Sequence, residues 1–318
     1  MPKFSVIIPC YNASSVFRRG LEALDNQSYK DFEVVIVDDC STDNSVDIIK
    51  ACQDEFSITV RLLRNERNSG PGISRNNGIK AAQGEYLCFL DADDYFDSTY
   101  FECLSKQIED TGSDVVFFSN FHIVGKQQRI MPAYNYSKKE YVALSPGALW
   151  KFCSSRLLWE GIEMPSQKNA EDIAVIPVIL SRARNITSIS NSLYYYIHSN
   201  NSLSSTHKPE VSYSFIKSFE YTEKMIDVVK YHDEIEFHGI KTILYGATLN
   251  ALKAGISNRE IKNIWNTFTQ KYPQWYSNKY ISAYPKNKRF FLFLVKSGQV
   301  SILRFYSRIH STLLQLLG

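Results

Sequence analysis

Acidic residues are missing from the last part of the sequence. No aspartate or glutamate follows Glu260, whereas lysine and arginine together occur nine times there. Since the whole chain has a formal net charge of +3, the residues up to Glu260 sum to −6. A basic C-terminal region on an acidic body favours an anionic partner, either a membrane surface or a nucleic acid.

Cysteine pairs and long hydrophobic runs are missing as well. The six cysteines include no CxxC pair, and four stand among apolar residues, so we expect reduced, buried thiols rather than a zinc site or disulfides. No window reaches the roughly 18 apolar residues of a membrane-spanning helix, and no basic segment followed by an apolar run opens the chain. These absences predict a cytoplasmic protein. Apolar residues make up 44% of the chain, which is enough for a sizeable core.

Short apolar runs alternate with segments of helical period over the first hundred residues. The strand candidates are "FSVIIP" (4–9), "EVVIVD" (33–38), "ITVRLL" (58–63) and "YLCFLD" (86–91). Buried strands separated by helices of 10–15 residues predict an α/β fold, with a mostly parallel sheet flanked by helices. In such open sheets the ligand lies beyond the carboxyl ends of the strands.

The alternation weakens after about residue 120. "DVVFFS" (114–119) is a further strand candidate, residues 121–145 are predicted to be an insertion or irregular loop, and "NAEDIAVIPVILSRA" predicts a helix with an acidic first turn. "ITSIS" and "SLYYYI" are strand-like, and the sequence beyond Lys208 is helical in period. We therefore predict an α/β domain over 1–208 and a mostly α-helical region over 209–318.

Polar residues follow all four predicted strands of the first hundred residues. In chain order they are Tyr11 and Asn12; Asp38, Asp39, Ser41, Thr42 and Asp43; Arg64, Asn65 and Asn68; and Asp91, Asp93 and Asp94. Some of these side chains are expected to cap helices. Two carboxylates at positions i and i+2 can also hold a divalent cation such as Mg²⁺ or Mn²⁺, together with phosphate oxygens of a substrate. The pattern therefore favours a nucleotide diphosphate ligand over a neutral one.

Five ordered blocks resemble the family 2 glycosyltransferases of the GT-A fold, and together they cover about residues 4–205. The blocks are "SVIIPCYNAS", "DFEVVIVDDCSTDNS", "RNERNSGPGISRNNGIKAAQGEYLCFLDADD", "LWKFCSSRLLWEGIEMPSQKNAEDIAV" and "LYYYIHSNNSLS". The resemblance implies transfer of a sugar, with inversion, from a nucleotide diphosphate donor to a hydroxyl of a glycan or lipid-linked acceptor. A UDP-hexose or UDP-N-acetylhexosamine donor, an Mn²⁺ or Mg²⁺ cofactor and a role in bacterial surface polysaccharide synthesis are the expectations that follow.

The resemblance also assigns donor-binding roles to individual residues. Asp39 matches the acid that bonds the uracil ring, and Arg75 and Asn76 match positions near the base, ribose and phosphates. Asp91, Ala92 and Asp93 match the DxD motif, which implies Asp93 as the direct metal ligand and Asp91 as the residue nearer the ribose. Cys40 stands where glycine is common in the family, which predicts a slightly different local turn. The remaining matches line the base pocket: Pro9, Tyr11 and Asn12.

Catalytic and further metal-binding roles follow in the same way. Asp172 matches the family's catalytic base. Such a base is needed because the acceptor hydroxyl must lose a proton as it attacks from the side of the sugar opposite the diphosphate. Glu171 either orients the acceptor or begins a helix. His198 lies where several relatives supply a third metal ligand, but it is also compatible with a structural role. Trp150 and the tyrosines 194–196 are expected to pack in the core, since only alternate side chains of a strand share a face.

Residues 289–317 have the pattern of an amphipathic helix with basic residues on its polar side. Arg304, Arg308, Ser311 and Gln315 share one face, whereas Ile302 and Phe305 fall on another. We favour binding to an anionic membrane surface, with no nucleic-acid partner, and a peripheral location on the cytoplasmic face. Docking of this helix on the catalytic domain is the alternative.

The residues disfavour three other functions. A sugar-1-phosphate nucleotidyltransferase needs a glycine-rich loop after the first strand, and "IIPCYNASS" has no glycine. A receiver-like phospho-acceptor domain would carry its acidic pair after the first strand rather than the second, and it would be much shorter. A non-catalytic nucleotide-sugar-binding homologue fits poorly with the presence of Asp39, Asp91, Asp93 and Asp172.

Overall fold

The computed structural model describes residues 1–198 and 207–307. Their contacts group into two compact units. The first takes in Met1–Lys138, Pro146–Lys168 and the described part of Ile179–Ser202. The second takes in Lys139–Ser145, Asn169–Val178 and the described residues from 207 onward. The boundary between 1–208 and 209–318 stays a prediction.

The described residues of the first unit form a nine-stranded mixed sheet. The strands are β1 Phe4–Cys10, β2 Phe32–Asp38, β3 Val60–Arg64, β4 Tyr86–Phe89, β5 Tyr95–Phe96, β6 Val115–Val124, β7 Gln127–Met131, β8 Phe152–Ser155 and β9 Ile186–Ile197. Their order is β3-β2-β1-β4-β8-β6-β9-β5, with β7 paired to β6. The run β3-β2-β1-β4 is parallel, as are β6 and β9, whereas β8, β7 and β5 pair antiparallel with their neighbours.

Helices flank the sheet and dominate the later part of the chain. They are α1 Phe17–Asp25, α2 Ser45–Glu55, α3 Pro71–Ala81, α4 Tyr100–Thr111, α5 Lys138–Leu144, α6 Glu171–Arg182, α7 Pro209–Met225, α8 His232–Gly239, α9 Thr248–Lys253, α10 Asn258–Thr269 and α11 Lys286–Lys296. A π-helical segment, Ile240–Ala247, joins α8 to α9, and residues 300–307 are also helical. Short 3₁₀ turns are Leu149–Lys151, Arg156–Trp159, Trp275–Ser277 and Lys279–Ala283.

The predicted α/β class and the helical C-terminal region are confirmed. Every residue of β2 is buried, which explains why its sequence shows no polar alternation. In α1 the buried positions Phe17, Leu21 and Leu24 repeat at helical spacing and pack in the same core as β1 and β2. In the second unit, α10 begins with a capping box in which Ser257 and Glu260 bond each other's main-chain N–H groups.

One prediction about the middle of the chain is wrong. Residues 121–145 are not an irregular insertion: β6 continues to Val124, turns at Gly125 and returns as β7, and α5 follows. All five residues of β7 are exposed, so the hydrophobic pattern that marks a buried strand is absent there. The buried thiols of Cys10, Cys52, Cys88 and Cys153 agree with the prediction for four cysteines.

Candidate active site

The parallel part of the sheet gathers the polar ends of three strands. Cys10, the last residue of β1, pairs with Asp38, the last residue of β2. On the other side of β1, Ile7 pairs with Phe89 at the end of β4. Because these strands run in the same direction, the loops that follow them leave the sheet at the same edge.

Asp39 is held by the loop that precedes α3. Its Oδ1 accepts hydrogen bonds from Asn65 Nδ2 (2.7 Å) and the Ser69 N–H (2.9 Å), and its Oδ2 accepts from the Gly70 N–H (2.7 Å). Gly70 adopts a φ of +89°, a conformation that favours glycine. Asp39 is buried, and the three hydrogen bonds to its carboxylate organise this loop whatever else the residue binds. Contact with a uracil ring stays a prediction.

The turns after β1 and β2 are bonded to each other. Asn12 has a φ of +49°, its N–H donates to Ser41 Oγ (3.0 Å) and its Oδ1 accepts from the Thr42 N–H (2.8 Å). Cys40 has a φ of +64°, which agrees with the preference for glycine at this position. The neighbouring Tyr11 ring is 48% exposed, so it is available to stack on a planar ligand, whereas Pro9 lies within β1 and is partly buried.

Helix α3 places Arg75 and Asn76 differently. A nitrogen of the Arg75 guanidinium lies 2.8 Å from Asp91 Oδ1, and the arginine side chain is 7% exposed against 31% for the aspartate. Asn76 exchanges two hydrogen bonds of 2.9 Å with the main-chain N–H and carbonyl of Met164. Arg75 thus joins the acidic turn directly, whereas the amide of Asn76 ties α3 to the segment around Met164. Its predicted contact with the donor is untested.

The acidic turn after β4 holds three carboxyl groups of different character. Burial and the charge of Asp91 raise the pKa of Asp93 above its usual range. Burial raises the pKa of Asp94 to about 8, with the charge of Asp91 adding to the effect. Arg19 donates to the main-chain carbonyl of Asp93 (2.6 Å). Ala92 lies between the first two acids and is partly buried.

This crowding of negative charge fits a divalent cation. The charge of Asp91 adds to the cost of ionising Asp93, and a cation would relieve that repulsion. Within residues 1–198 and 207–307, no group of three or more His, Cys, Asp or Glu side chains lies close enough to hold a metal. Two carboxylates with phosphate oxygens of a bound donor are nevertheless a common way of holding Mg²⁺ or Mn²⁺.

His198 lies directly after β9 and is exposed. The main-chain N–H of His198 donates to the Ile123 carbonyl (2.8 Å), and its imidazole ring centroid lies 6.1 Å from that of His122. Together with burial, His198 lowers the pKa of His122. No three-residue cluster forms around His198 in the described chain, and metal ligation by this residue stays a prediction.

The tyrosines of β9 confirm the expected alternation of side chains. Tyr194 and Tyr196 stack on Trp150, with centroid distances of 4.3 and 5.4 Å, whereas Tyr195 stacks on Tyr95 at 4.4 Å. Tyr194 and Trp150 are buried, as predicted for core residues. The hydroxyl of Tyr194, however, reaches the acidic turn, and nothing in the sequence pattern separates it from its two neighbours.

Glu171 and Asp172 lie in the second unit, in the first turn of α6. Glu171 is buried and Asp172 is partly exposed. The preceding residue, Ala170, has a φ of +64°, which is unfavourable for a residue with a Cβ atom. Ser218 of α7 donates to the Ala170 carbonyl (2.6 Å), a contact that sequence reasoning missed because 48 residues separate the partners.

A mixed α/β sheet flanked by helices, as seen in this chain, is the architecture of GT-A glycosyltransferases. Residues 5–167 match the family described as "Glycosyl transferase family 2", and the chain belongs to this family.

Two curated relatives illustrate the similarity. The chain is 30% identical over 271 residues to the uncharacterized glycosyltransferase YibD of Escherichia coli, covering 75% of this chain and 78% of the relative. It is 31% identical over 207 residues to the poly(ribitol-phosphate) beta-N-acetylglucosaminyltransferase TarS of Staphylococcus aureus, covering 62% of this chain. The match spans only about a third (35%) of the length of TarS.

Solved structures with the same fold include complexes with nucleotide sugars. Residues 1–349 of S. aureus TarS with UDP-GlcNAc superimpose with a TM-score of 0.72 at 21% identity, covering 98% of this chain and 92% of that one. The mannosyltransferase PcManGT of Pyrobaculum calidifontis, in complex with GDP-Man and Mn²⁺, gives a TM-score of 0.57 at 12% identity, covering 97% and 86%. At these identities the likeness establishes the fold alone.

Proposed function

We propose that this chain is an inverting, divalent-metal-dependent glycosyltransferase that moves a sugar from a nucleotide diphosphate to a hydroxyl group. The observation that carries the proposal is the ion pair between Arg75 and Asp91 beside Asp93, at the carboxyl edge of the parallel strands. A guanidinium next to two carboxylates offers opposite charges to a diphosphate and to its counter-cation. Family membership narrows the chemistry to sugar transfer.

The donor and acceptor are inferred from relatives. TarS is named as an N-acetylglucosaminyltransferase acting on poly(ribitol-phosphate), and its solved complex contains UDP-GlcNAc. WfaP of E. coli, 31% identical over 208 residues, is named as a beta-1,3-glucosyltransferase with UDP-Glc as donor and alpha-D-GlcNAc-diphosphoundecaprenol as acceptor. Both support a UDP-hexose or UDP-N-acetylhexosamine donor and a glycan or lipid-linked acceptor in bacterial surface polysaccharide synthesis.

In the proposed reaction Asp172 accepts the proton of the acceptor hydroxyl as that oxygen bonds to the anomeric carbon. The bond from this carbon to the diphosphate breaks on the opposite side, which inverts the configuration. Glu171 is assigned to orienting the acceptor. Asp39, Tyr11, Asn12 and Pro9 are assigned to the base.

The diphosphate end of the donor is assigned to the acidic turn and α3. Arg75 contributes the positive charge there, with Asn76 and Ala92 beside it. A Mn²⁺ or Mg²⁺ held by Asp91, Asp93 and His198 would supply neutralisation of the charge that grows on the leaving diphosphate.

The decisive experiment compares transfer with binding. Asp172→Asn should abolish sugar transfer from UDP-sugars, because the amide cannot accept the proton, while UDP with Mn²⁺ binds as tightly as to the wild type in calorimetry. Glu171→Gln is the matched variant and should retain measurable transfer. Equal loss of UDP binding and transfer in Asp172→Asn would mean that this residue is not the base. Absence of transfer from a panel of UDP-sugars by the wild type would contradict the donor class.

An anionic membrane surface is the proposed partner of the basic C-terminal region. Four apolar side chains on α11 and residues 300–307 are about half exposed or more: Phe290 46%, Phe293 49%, Ile302 50% and Phe305 66%. Basic side chains accompany them, and a cleft of about 540 Å³ at the start of α11 includes Lys279, Lys286 and Arg289 in its lining. Exposed aromatic residues among lysines and arginines are the composition of a surface that lies on anionic lipid.

The proposed membrane surface differs in one respect from the sequence prediction. Arg304 was expected on the polar, lipid-facing side, but its guanidinium donates to the Ile256 carbonyl (2.5 Å) and to Asn258 Oδ1 (3.1 Å). Arg304 therefore docks residues 300–307 on the rest of the second unit. The proposed membrane contact involves a different side of the same helix. Arg308, Ser311 and Gln315 lie outside the described residues. Within the described chain no helix combines the length and hydrophobicity needed to cross a bilayer.

A further inference from the structure

The hydroxyl of Tyr194 lies between two residues of the acidic turn. It accepts a hydrogen bond from the main-chain N–H of Asp91 (3.2 Å) and donates one to Asp94 Oδ2 (2.7 Å). The main-chain N–H of Asp94 in turn donates to the Asp91 carbonyl (3.1 Å). These three bonds close a ring that contains the backbone of Asp91, Ala92 and Asp93.

The second oxygen of Asp94 is tied to the end of β9. Its Oδ1 accepts the main-chain N–H of Ile197 (2.7 Å), three residues after Tyr194 and one before His198. Asp94 is 1% exposed and therefore cannot reach a ligand in solvent. Its carboxyl instead joins the acidic turn to the strand that carries both Tyr194 and His198.

The Tyr194 ring has little freedom to move. It is fully buried, stacks on Trp150 with centroids 4.3 Å apart and an interplanar angle of 16°, and meets Phe96 edge to face. A phenylalanine would fill the same space, so packing alone does not require the hydroxyl. What the hydroxyl adds is a partner for the Asp91 N–H and for Asp94.

We propose that Tyr194 and Asp94 are positioning residues that hold the Asp91–Asp93 turn in the conformation that receives the donor diphosphate and its divalent cation. The proposal rests on the proposed function, since it assigns these two residues to the site of that reaction. The charge of Asp91 opposes ionisation of Asp93 while no cation is bound, so holding both carboxyls in one turn has a free-energy cost. The ring of hydrogen bonds fixes the turn before the donor arrives, which reduces the ordering cost of binding.

The test uses Tyr194→Phe in the full-length protein and measures Mn²⁺ binding in the presence of UDP by electron paramagnetic resonance. Loss of the hydroxyl should weaken this binding roughly five- to tenfold, the effect of about one hydrogen bond. The KM for the donor should rise by a similar factor, while kcat at saturation changes little. A pure packing role would lower the thermal midpoint without changing the Mn²⁺ affinity, and that result would overturn the proposal.

Tyr195→Phe is the matched control. Its hydroxyl lies 3.4 Å from Asp97 Oδ2, outside the ring described above, so its removal should leave Mn²⁺ affinity and donor KM at wild-type values. If Tyr195→Phe loses as much Mn²⁺ affinity as Tyr194→Phe, the proposal is overturned, because a hydroxyl outside the ring would then have the same effect as one inside it.

Asp94→Ala is the second variant and serves if Tyr194→Phe does not fold. It removes both oxygens that accept from Tyr194 and the Ile197 N–H, so the same direction of change is expected. Unchanged Mn²⁺ affinity in this variant would overturn the proposal. Because the readout is metal binding with UDP, the comparison stays decisive even if the wild type transfers no sugar, an outcome that would count against the proposed function instead.

Discussion

Ser218 Oγ lies 2.6 Å from the carbonyl oxygen of Ala170, the residue directly before Glu171 and Asp172. One turn later on α7, Thr222 Oγ1 donates to the Ala174 carbonyl (2.8 Å). Ala170 is left-handed, with a φ of +64°, and such a conformation persists only where surrounding contacts hold it. Two buried hydroxyls of α7 thus fix the start of the helix that carries the proposed base.

Ser218→Ala should lower kcat roughly tenfold or more, because small displacements of a catalytic group are costly for the reaction. UDP and Mn²⁺ binding should stay at wild-type strength, since the change is confined to the start of α6. Steady-state kinetics with varied donor, together with calorimetry of UDP binding, separates the two effects.

Two variants test the cause of that loss. Ser214→Ala, on the same helix, removes a hydroxyl that bonds the Glu210 carbonyl, and it should leave kcat unchanged. Ala170→Gly combined with Ser218→Ala should recover part of the activity, because glycine adopts a positive φ without support from a neighbour. Wild-type kcat in Ser218→Ala would contradict the positioning role.

The sequence pattern predicts the buried part of the fold well. In β1, β2 and β4 every side chain or nearly every one is buried, so uninterrupted apolar runs identify them. The hairpin strand β7 was missed because its exposed residues "QQRIM" carry no such signal. The antiparallel strand β8 is only four residues long, and its pairing with β4 and β6 depends on tertiary contacts rather than on local pattern.

Prediction of the site is limited by contacts between distant residues. The motif alone marks Asp91 and Asp93 as members of one turn, but their link to Tyr194 spans about a hundred residues. Asn76 illustrates the opposite case: its motif position suggests ligand binding, whereas its amide bonds the main chain of Met164. A motif identifies which residues matter and leaves open whether each contacts a ligand or another part of the chain.

Arg75→Met should weaken UDP binding in the presence of Mn²⁺ by about tenfold. The substitution removes the positive charge that pairs with Asp91, leaving that carboxylate beside Asp93 without compensation. Arg75→Lys should recover only part of the affinity, since an ammonium group does not reproduce the planar guanidinium. Calorimetric titration with UDP provides the measurement.

Arg18→Met is the control for this prediction. Arg18 also pairs with carboxylates, Glu22 and Glu55, but its side chain is 47% exposed on α1 and should contribute little. Equal UDP affinity in wild type and Arg75→Met would exclude a role of the ion pair in donor binding.

Binding to anionic vesicles should depend on the exposed apolar residues of 300–307. The double variant Ile302→Ser, Phe305→Ser should reduce the fraction that sediments with phosphatidylglycerol vesicles, and binding of the wild type should fall as salt is raised. Val229→Ser removes another exposed apolar side chain, 93% exposed and outside the basic region, and should have no effect. Failure of the wild type to sediment with these vesicles would contradict the membrane proposal.

His238 should make the stability of the second unit sensitive to acid. The side chain is 1% exposed, and burial together with the nearby charge of Lys241 lowers its pKa well below the usual value. Its Nε2 lies 3.3 Å from Thr222 Oγ1, and its Nδ1 has no hydrogen-bond partner in the described chain. In the protonated ring both nitrogens carry a proton, and the N–H at Nδ1 would be buried without an acceptor.

The direction of the effect follows from proton uptake. Below about pH 6.5 the unfolded chain protonates this histidine and the folded chain does not, so the free energy of unfolding falls by about 1.4 kcal/mol per pH unit until the lowered pKa is reached. His238→Phe removes the titrating group and should lose less stability between pH 7.5 and 5.5 in urea unfolding. His232→Phe, whose histidine is 61% exposed on the same helix, should behave as the wild type. If the free energy of unfolding changes with pH in the same way for wild type and His238→Phe, then His238 has the same pKa in the folded and unfolded states, and the prediction is contradicted.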